Sequence, residues 1–294
     1  MAKSVDVPDD VKAKDTVKIT DLPGVGAATA EKLAEAGFDS LMALAVATPA
    51  KVVEIAGVGE APARKIINAA RNSLDMGFES GLDLLDKRKS VIKISTGSKN
   101  VDEMLGGGME TGAITEFYGA YGSGKTSIAH QIAVNVQLPI DKGGADGIAV
   151  WIDTEGTLRP EYLKPIAEDA GIDPDEALHN FRGVRAFNSD HQMLLAEKVE
   201  DLIKKDGLPI KLIILDSLMG HFRSEFAGRG TLADRQQKLN KHLHALLKIA
   251  TQYNIAVYIT NQVMSKPDTF FGDPTEPIGG HVVAHTSTVR VYLR

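Results

Sequence analysis

From about residue 91 onward the chain alternates two patterns of apolar spacing. IAVWIDTE (148–155), KLIILD (211–216) and IAVYIT (255–260) are short, nearly continuous apolar runs. Strands buried on both faces read this way. AITEFYG (113–119) is a further strand, running into a glycine-rich loop. Between the runs lie stretches of helical period. HQMLLAEKVEDLIKK (191–205) places Leu194, Leu195, Val199, Leu202 and Ile203 on one face. DRQQKLNKHLHALLKIATQ (234–252) does the same with Leu239, Leu243, Leu246, Leu247 and Ala250. Strand–helix alternation predicts an α/β fold whose mostly parallel sheet is covered by helices. Ligands of such sheets bind at the carboxyl ends of the strands.

The first ninety residues differ. Residues 1–17 are polar and aperiodic and read as a flexible tail. Residues 18–73 are alanine-rich and contain an internal repeat, LPGVGAATAEKL (22–33) and IAGVGEAPARKI (55–66). Each copy has Gly-Val-Gly before a helical pattern, so this region predicts a small all-α domain. Residues 74–90 read as a linker ending in a basic cluster, and the core is expected over 91–294. One stretch fits neither period. KPDTFFGDPTEPIGGHVVAH (266–285) carries three prolines and an aromatic pair, and loops of this length are usually functional or disordered.

Composition removes several classes. There is no cysteine, hence no disulfide framework, thiolate metal site or cysteine nucleophile. No apolar run is long enough to span a membrane, and the first fifteen residues have no signal-peptide core. A cytoplasmic location is therefore expected. The net charge of −6 excludes a uniformly basic surface, although not a local basic track.

The candidate chemistry lies at strand ends. GAYGSGKT comprises Gly119, Ala120, Tyr121, Gly122, Ser123, Gly124, Lys125 and Thr126, followed by Ser127. It fits the phosphate-loop pattern at every fixed position. Backbone N–H groups would cradle phosphate oxygens, Lys125 would supply a cation, and Thr126 would offer its hydroxyl to Mg²⁺. ATP and Mg²⁺ are the implied cofactors. Asp216, ending its apolar strand, is a candidate partner of the metal. Glu155 is placed to orient an attacking water, the alternative being a solvated or helix-capping acid. Asn261 and Gln262 follow the last apolar run and lead into the long loop. Either they report nucleotide state to it, or they satisfy strand-end backbone groups.

Residues 220–241 carry Arg223, Arg229, Arg235, Lys238 and Lys241 against Glu225 and Asp234. This is a basic local segment suited to phosphates, or else a solvated helix face. Phe270 and Phe271 are suited to stacking on nucleotides, or to packing under the loop or against another subunit.

Taken together, these segments resemble the archaeal RadA recombinases of the RecA superfamily, from about residue 20 to the end. The match includes LPGVG, ISTGSKNVDEMLGGG, GAYGSGKT, WIDTEGTLRPE, RAFNSDHQM, DSLMGHFRSEFAGRGTLADRQQKL, TNQV and PIGGHVVAH. The resemblance implies a RecA-like ATPase core behind a helix–hairpin–helix DNA-binding domain. There Gly24, Gly26, Gly57 and Gly59 would present backbone N–H groups to a DNA phosphate, unless they serve only as helix caps. It further implies DNA-dependent ATP hydrolysis, helical filaments on single-stranded DNA, and strand exchange with double-stranded DNA in recombinational repair. Glu155 would activate water, Gln262 would sense the γ-phosphate and Arg159 would lie near the adenine. Residues 220–231 and 264–285, the latter with Gly279 and Gly280, would be the DNA-binding loops. FESG (78–81) would be the polymerisation motif, with Phe78 inserted into the next protomer and Gly81 beside it. Head-to-tail contacts of that kind build open helices or, on closure, rings.

The resemblance leaves room for recombination mediators as partners and implies nucleoid association. Three departures stand out. Met219-Gly220 replaces a pair of small hydroxyl residues, Gly81 stands where alanine is frequent, and the sequence ends at VYLR, short of the segment that caps ATP on the neighbouring protomer. The competing functions are a paralogue that assists another filament, a non-catalytic ATP- and DNA-binding scaffold, and a ring motor of the same fold.

Overall fold

The computed structural model describes residues 18–73, 80–265 and 275–294, without the side chains of Arg229 and Ser265. Phe78, Phe270, Phe271 and the 1–17 tail lie outside the described residues. The chain divides into two compact units, Met1–Leu84 and Leu85–Arg294.

In the first unit a 3-10 turn, Ile19–Asp21, precedes four helices: α1 (Ala27–Glu35), α2 (Leu41–Ala45), α3 (Pro49–Ala56) and α4 (Glu60–Ser73). Local chemistry sets their ends. Ser40 Oγ accepts from Ala43 N at 3.2 Å and caps α2. Pro49 opens α3, where its missing N–H costs nothing. Leu22, Val25, Leu33, Leu44, Val52, Ile66 and Ile67 close the core. The two Gly-Val-Gly copies are not equivalent. The second joins two full helices, α3 and α4, whereas among the described residues the first has only the 3-10 turn before α1. Gly24 and Gly57 adopt positive φ, +87° and +67°, and Gly57 closes α3. Gly26 is the residue before α1, with ordinary φ and no atom within 4 Å of a β-carbon placed there. Helix α5 (Gly81–Arg88) carries the division between the units and starts at the glycine of FESG.

The second unit opens with a small antiparallel pair, β1 (Lys93–Ile94) and β2 (Met109–Glu110), around α6 (Lys99–Met104). Then follow β3 (Ile114–Gly119), α7 (Lys125–Asn135), β4 (Ile148–Asp153), α8 (Leu163–Ala170), α9 (Pro174–His179), β5 (Phe181–Arg185), α10 (Ser189–Lys204), β6 (Ile210–Asp216), α11 (Gly220–Glu225), α12 (Leu232–Tyr253), β7 (Ala256–Ser265), β8 (Thr275–Pro277), α13 (Gly280–Thr286) and β9 (Val289–Leu293). The main sheet runs β5-β4-β6-β7-β3-β9 with all neighbours parallel, and β8 adds antiparallel to β7. Alternate residues serve opposite faces. Ile213, Leu215, Val257 and Ile259 pack on Val199, Leu239, Leu243 and Leu246 of α10 and α12. Leu212, Ile214, Tyr258, Phe117 and Trp151 pack on Ile132, Leu163 and Ala167 of α7 and α8. With helices on both faces, these strands have no solvent side and therefore no polar alternation.

Three expectations are corrected. The last long strand does not stop at Thr260. It continues to Ser265 because Val263, Met264 and Ser265 pair with Pro277, Glu276 and Thr275 of β8. The 266–285 stretch is not loop throughout, since GHVVAHT folds as α13 with Val283 buried in the core. Leu194 leaves the core face of α10 and is 51% exposed. Gln192, Met193, Ala196 and Val199 form the buried stripe instead.

Candidate nucleotide site and neighbouring basic surface

Parallel register brings the chemistry together. Gly119 pairs with Gln262, and Asp153 with Asp216, so the ends of four strands open onto one edge. A cleft of about 290 Å³ lies there, lined by residues 121–127 of the phosphate loop with Glu155, Thr157, Asp216, Ser217, Thr260 and Gln262. A groove of about 580 Å³ between α12 and α13 is larger, but it contains none of the strand-end carboxylates.

The phosphate loop is shaped by two glycines. A β-carbon on Gly119 would collide with the Leu293 carbonyl oxygen, so only glycine lets β3 and β9 close here. Gly124 enters α7 at φ +92°, a conformation that turns the chain into the helix and aims its first N–H groups outward. Lys125 Nζ donates to Gly119 O at 3.0 Å and Ala120 O at 2.8 Å. Burial holds its ammonium below the ordinary value, opposed by the negative charges of Asp216 and Glu155.

Thr126 Oγ1 donates to Asp216 Oδ2 at 2.8 Å, and Thr157 Oγ1 to the same oxygen at 3.3 Å. Thr260 Oγ1 donates to Asp216 Oδ1. Burial pushes this carboxyl above its usual range, while the threonine donors pull it down and Glu155 pushes it further up. The peptide after it, Asp216–Ser217, is cis. Hydroxyl and carboxylate oxygens side by side are a hard donor set, and Mg²⁺ is usually held by one or two protein oxygens plus phosphates and water. Among the described residues no cluster of three or more His, Asp or Glu forms a self-sufficient metal cage. The cleft thus fits a nucleoside triphosphate with Mg²⁺ better than a metal alone.

Glu155 stands just beyond β4 on a loop folded by Asp153. Asp153 Oδ1 accepts N–H bonds from Glu155 (3.1 Å), Gly156 (2.7 Å) and Thr157 (3.2 Å). Thr154 Oγ1 donates to Ser217 O and accepts from Ser217 N, stitching this loop to the end of β6. Ser217 Oγ donates to Glu155 Oε1 at 2.6 Å, and Gln262 Nε2 to the same oxygen at 3.0 Å. Glu155 is therefore held over the cleft, not helix-capping. Thr154, Thr157, Ser217 and Thr260 all escaped the sequence reading, because isolated hydroxyls carry no pattern until register assembles them.

Arg159 does not line the cleft; its guanidinium donates to Gly156 O and Leu158 O, at 2.9 and 2.8 Å. His130 was also missed. Its Nδ1 meets Thr126 O at 2.8 Å, and its ring lies 4.7 Å from that of Trp151.

In the basic segment, α11 and a 3-10 turn, Arg229–Thr231, replace a continuous loop. Arg223 is exposed on α11. Arg235 is half-buried, and its Nε has no partner. Lys238 is occupied, 2.9 Å from Asp190 and 2.8 Å from Ser189 Oγ, and lies over the Phe226 ring. Glu225 accepts from Ser189 N at 2.7 Å. The segment is thus less freely basic than its composition implies. Gly279 and Gly280, with φ of +108° and +64°, turn β8 into α13, and Gln236 Nε2 donates to Gly279 O at 3.2 Å.

The Rad51 family profile matches residues 87–294, covering this entire site. The chain belongs to the Rad51 family. A second profile, the SAM-like helix-hairpin-helix tandem, matches residues 16–72. The chain is also similar to the DNA repair and recombination protein RadA of Aeropyrum pernix, with 52% identity over 276 residues, 94% of this chain and 86% of that protein. For this Rad51-family chain, no helix among the described residues is long and apolar enough to cross a membrane.

Proposed function

We propose that this chain is a DNA-dependent ATPase that assembles into helical filaments on single-stranded DNA and carries out homologous pairing and strand exchange in recombinational repair. Its family membership supports this reading. One observation carries the coupling between nucleotide and DNA. The Gln262 side chain reaches Glu155 in the cleft, while its backbone carbonyl accepts from Ile278 N at 3.0 Å. A single residue thus faces the cleft and holds Ile278, the residue just after β8.

In this reading Lys125 and the α7 N–H groups bind the phosphates, and Thr126 and Asp216 hold the metal. Bound Mg²⁺ supplies charge neutralisation at the phosphates. Glu155 accepts a hydrogen bond from the attacking water and orients it. Arg223, Arg235, Gly279 and Gly280, with Arg229, Phe270 and Phe271, form the DNA surface. Gly24, Gly26, Gly57 and Gly59 offer a second one. Phe78 joins protomers.

The test is fluorescence anisotropy of a labelled single-stranded oligonucleotide with Mg²⁺ and a non-hydrolysable ATP analogue, with ADP, and without nucleotide. Tight, salt-sensitive binding only with the triphosphate is expected. Binding indifferent to nucleotide would leave a scaffold whose DNA contact is the helix–hairpin–helix unit alone.

A further inference from the structure

Glu116 stands in the middle of β3, and its side chain is fully buried. It shares a sheet face with Ile114, and its cross-strand partner on β7 is Ile259. A carboxylate there is costly unless it is paired and hydrogen-bonded, and an apolar residue would pack the core as well. Both carboxylate oxygens are paired, although Arg290 Nη2 is buried without a partner. On β9, Arg290 is its register partner and donates Nε to Oε2 at 2.5 Å. On β7, Asn261 donates Nδ2 to Oε1 at 2.8 Å. One carboxylate thus ties the strands on both sides of the phosphate-loop strand.

Asn261 passes the constraint on. Its Nδ2 also donates to Ile278 O at 2.5 Å, and its Oδ1 accepts from Gln262 N at 2.9 Å. Ile278 lies at the junction between β8 and the Gly279-Gly280 turn into α13. The amide therefore sits between Gln262, which reaches Glu155, and the foot of the β7–β8 hairpin. That hairpin is paired through Val263–Pro277, Met264–Glu276 and Ser265–Thr275. With all its polar atoms engaged, Asn261 cannot rotate independently of Glu116.

We propose that Glu116 is a positioning residue which, through Asn261, fixes the β7–β8 hairpin foot relative to Gln262, so that a displacement of Gln262 moves the hairpin instead of being absorbed at its base. Neither residue lines the cleft. The inference rests on the nucleotide-coupled DNA binding proposed above.

Full-length wild type, Asn261→Ala and Glu116→Gln are compared. Asn261→Ala keeps the Glu116–Arg290 pair. Glu116→Gln keeps the shape but turns one acceptor into a donor. Affinity for a fluorescent ATP analogue with Mg²⁺ is measured, together with single-stranded DNA affinity in ADP and in a non-hydrolysable ATP analogue. Nucleotide affinity is expected to stay within about threefold of wild type. The triphosphate-to-ADP ratio of DNA affinities is expected to fall by about tenfold, a typical coupling magnitude.

A wild-type ratio near one would overturn the functional reading itself. A large wild-type ratio that both variants retain would overturn the positioning role alone. So would equal losses in both nucleotide states, or loss of folding in both variants, since each would mark the network as core structure only.

Discussion

Gln262 Nε2 and Ser217 Oγ converge on one oxygen of Glu155, at 3.0 and 2.6 Å. The donors come from within β7 and from the residue just after β6, and the acceptor from the loop after β4. The carboxylate is therefore oriented by two strands other than its own. A group that polarises water needs such fixed geometry, and general-base contributions of about 10²–10⁴ are usual. Glu155→Gln should lower ATP turnover by about a hundredfold or more while leaving nucleotide affinity nearly intact. Steady-state hydrolysis beside a direct binding titration separates the two. Undiminished turnover in the variant would remove Glu155 from the chemistry.

If Gln262 acts on hydrolysis partly by holding Glu155, losses in the two single variants should not add. Turnover of Glu155→Gln/Gln262→Ala should lie well above the product of the single effects, by an interaction of about 0.5–3 kcal/mol for directly contacting groups. Additive losses would mean that the Gln262–Glu155 contact is incidental.

Much of the site was legible because its parts are ordered by the chain. The phosphate loop is a contiguous pattern, and Asp216 and Glu155 follow apolar runs whose burial on both faces dictates a parallel sheet. Other parts are created only by register. Glu116 and Asn261 are 145 residues apart, and nothing local marks either as the other's partner. The hydroxyls of Thr157, Thr260 and Ser217 acquire meaning only around the two carboxylates. The 266–285 stretch looked uniformly irregular because proline and glycine dominate its signal. Helix α13 is seven residues long, too short for a helical period to show, and its place is secured by burying Val283. Leu194 was misplaced because the true core stripe of α10 includes the polar Gln192, which hydrophobic spacing ignores.

Asp216 gives a prediction of definite sign. Burial raises its folded-state pKa above the ordinary value of 3.8. The folded state therefore holds this proton longer than the unfolded state, and stability declines as pH rises from that value through the raised one. Asp216→Asn removes the titration. In EDTA at neutral pH the variant should unfold at a temperature equal to or above that of wild type. Mg²⁺ with triphosphate should reverse the order. Ligand at a hundredfold excess over its dissociation constant adds about 2.7 kcal/mol to a protein that binds it, and the variant should lose most of this. A variant stabilised as much as wild type would place the metal elsewhere.

Arg223 is the exposed cation of α11, whereas Lys238 is already engaged by Asp190. Each phosphate contact on a single strand contributes about −0.7 to the slope of log affinity against log salt. Arg223→Ala should make that slope shallower by roughly this amount and weaken binding alike for different oligonucleotide sequences. Lys238→Ala should leave the slope unchanged and lower stability instead. An unchanged slope for Arg223→Ala would take α11 off the DNA path.

His242 on α12 is fully buried, 3.2 Å from Gln192 Nε2 and stacked on Phe222 of α11. Burial lowers its pKa from 6.5 to about 4. Below pH 6.5 the unfolded chain takes up a proton that the folded chain refuses, so stability is lost as pH falls from 6.5 toward 4 and no further below that. At about 1.36 kcal/mol per pH unit the loss is about 3 kcal/mol. His242→Gln preserves an acceptor for Gln192 without the titration. Urea unfolding across this range should show the variant gaining on wild type by about that amount, since the carboxylates common to both cancel in the difference. A gap between the two proteins that stays constant across this range would mean that the imidazole is protonated in place, with a counter-charge drawn into the α10–α12 interface.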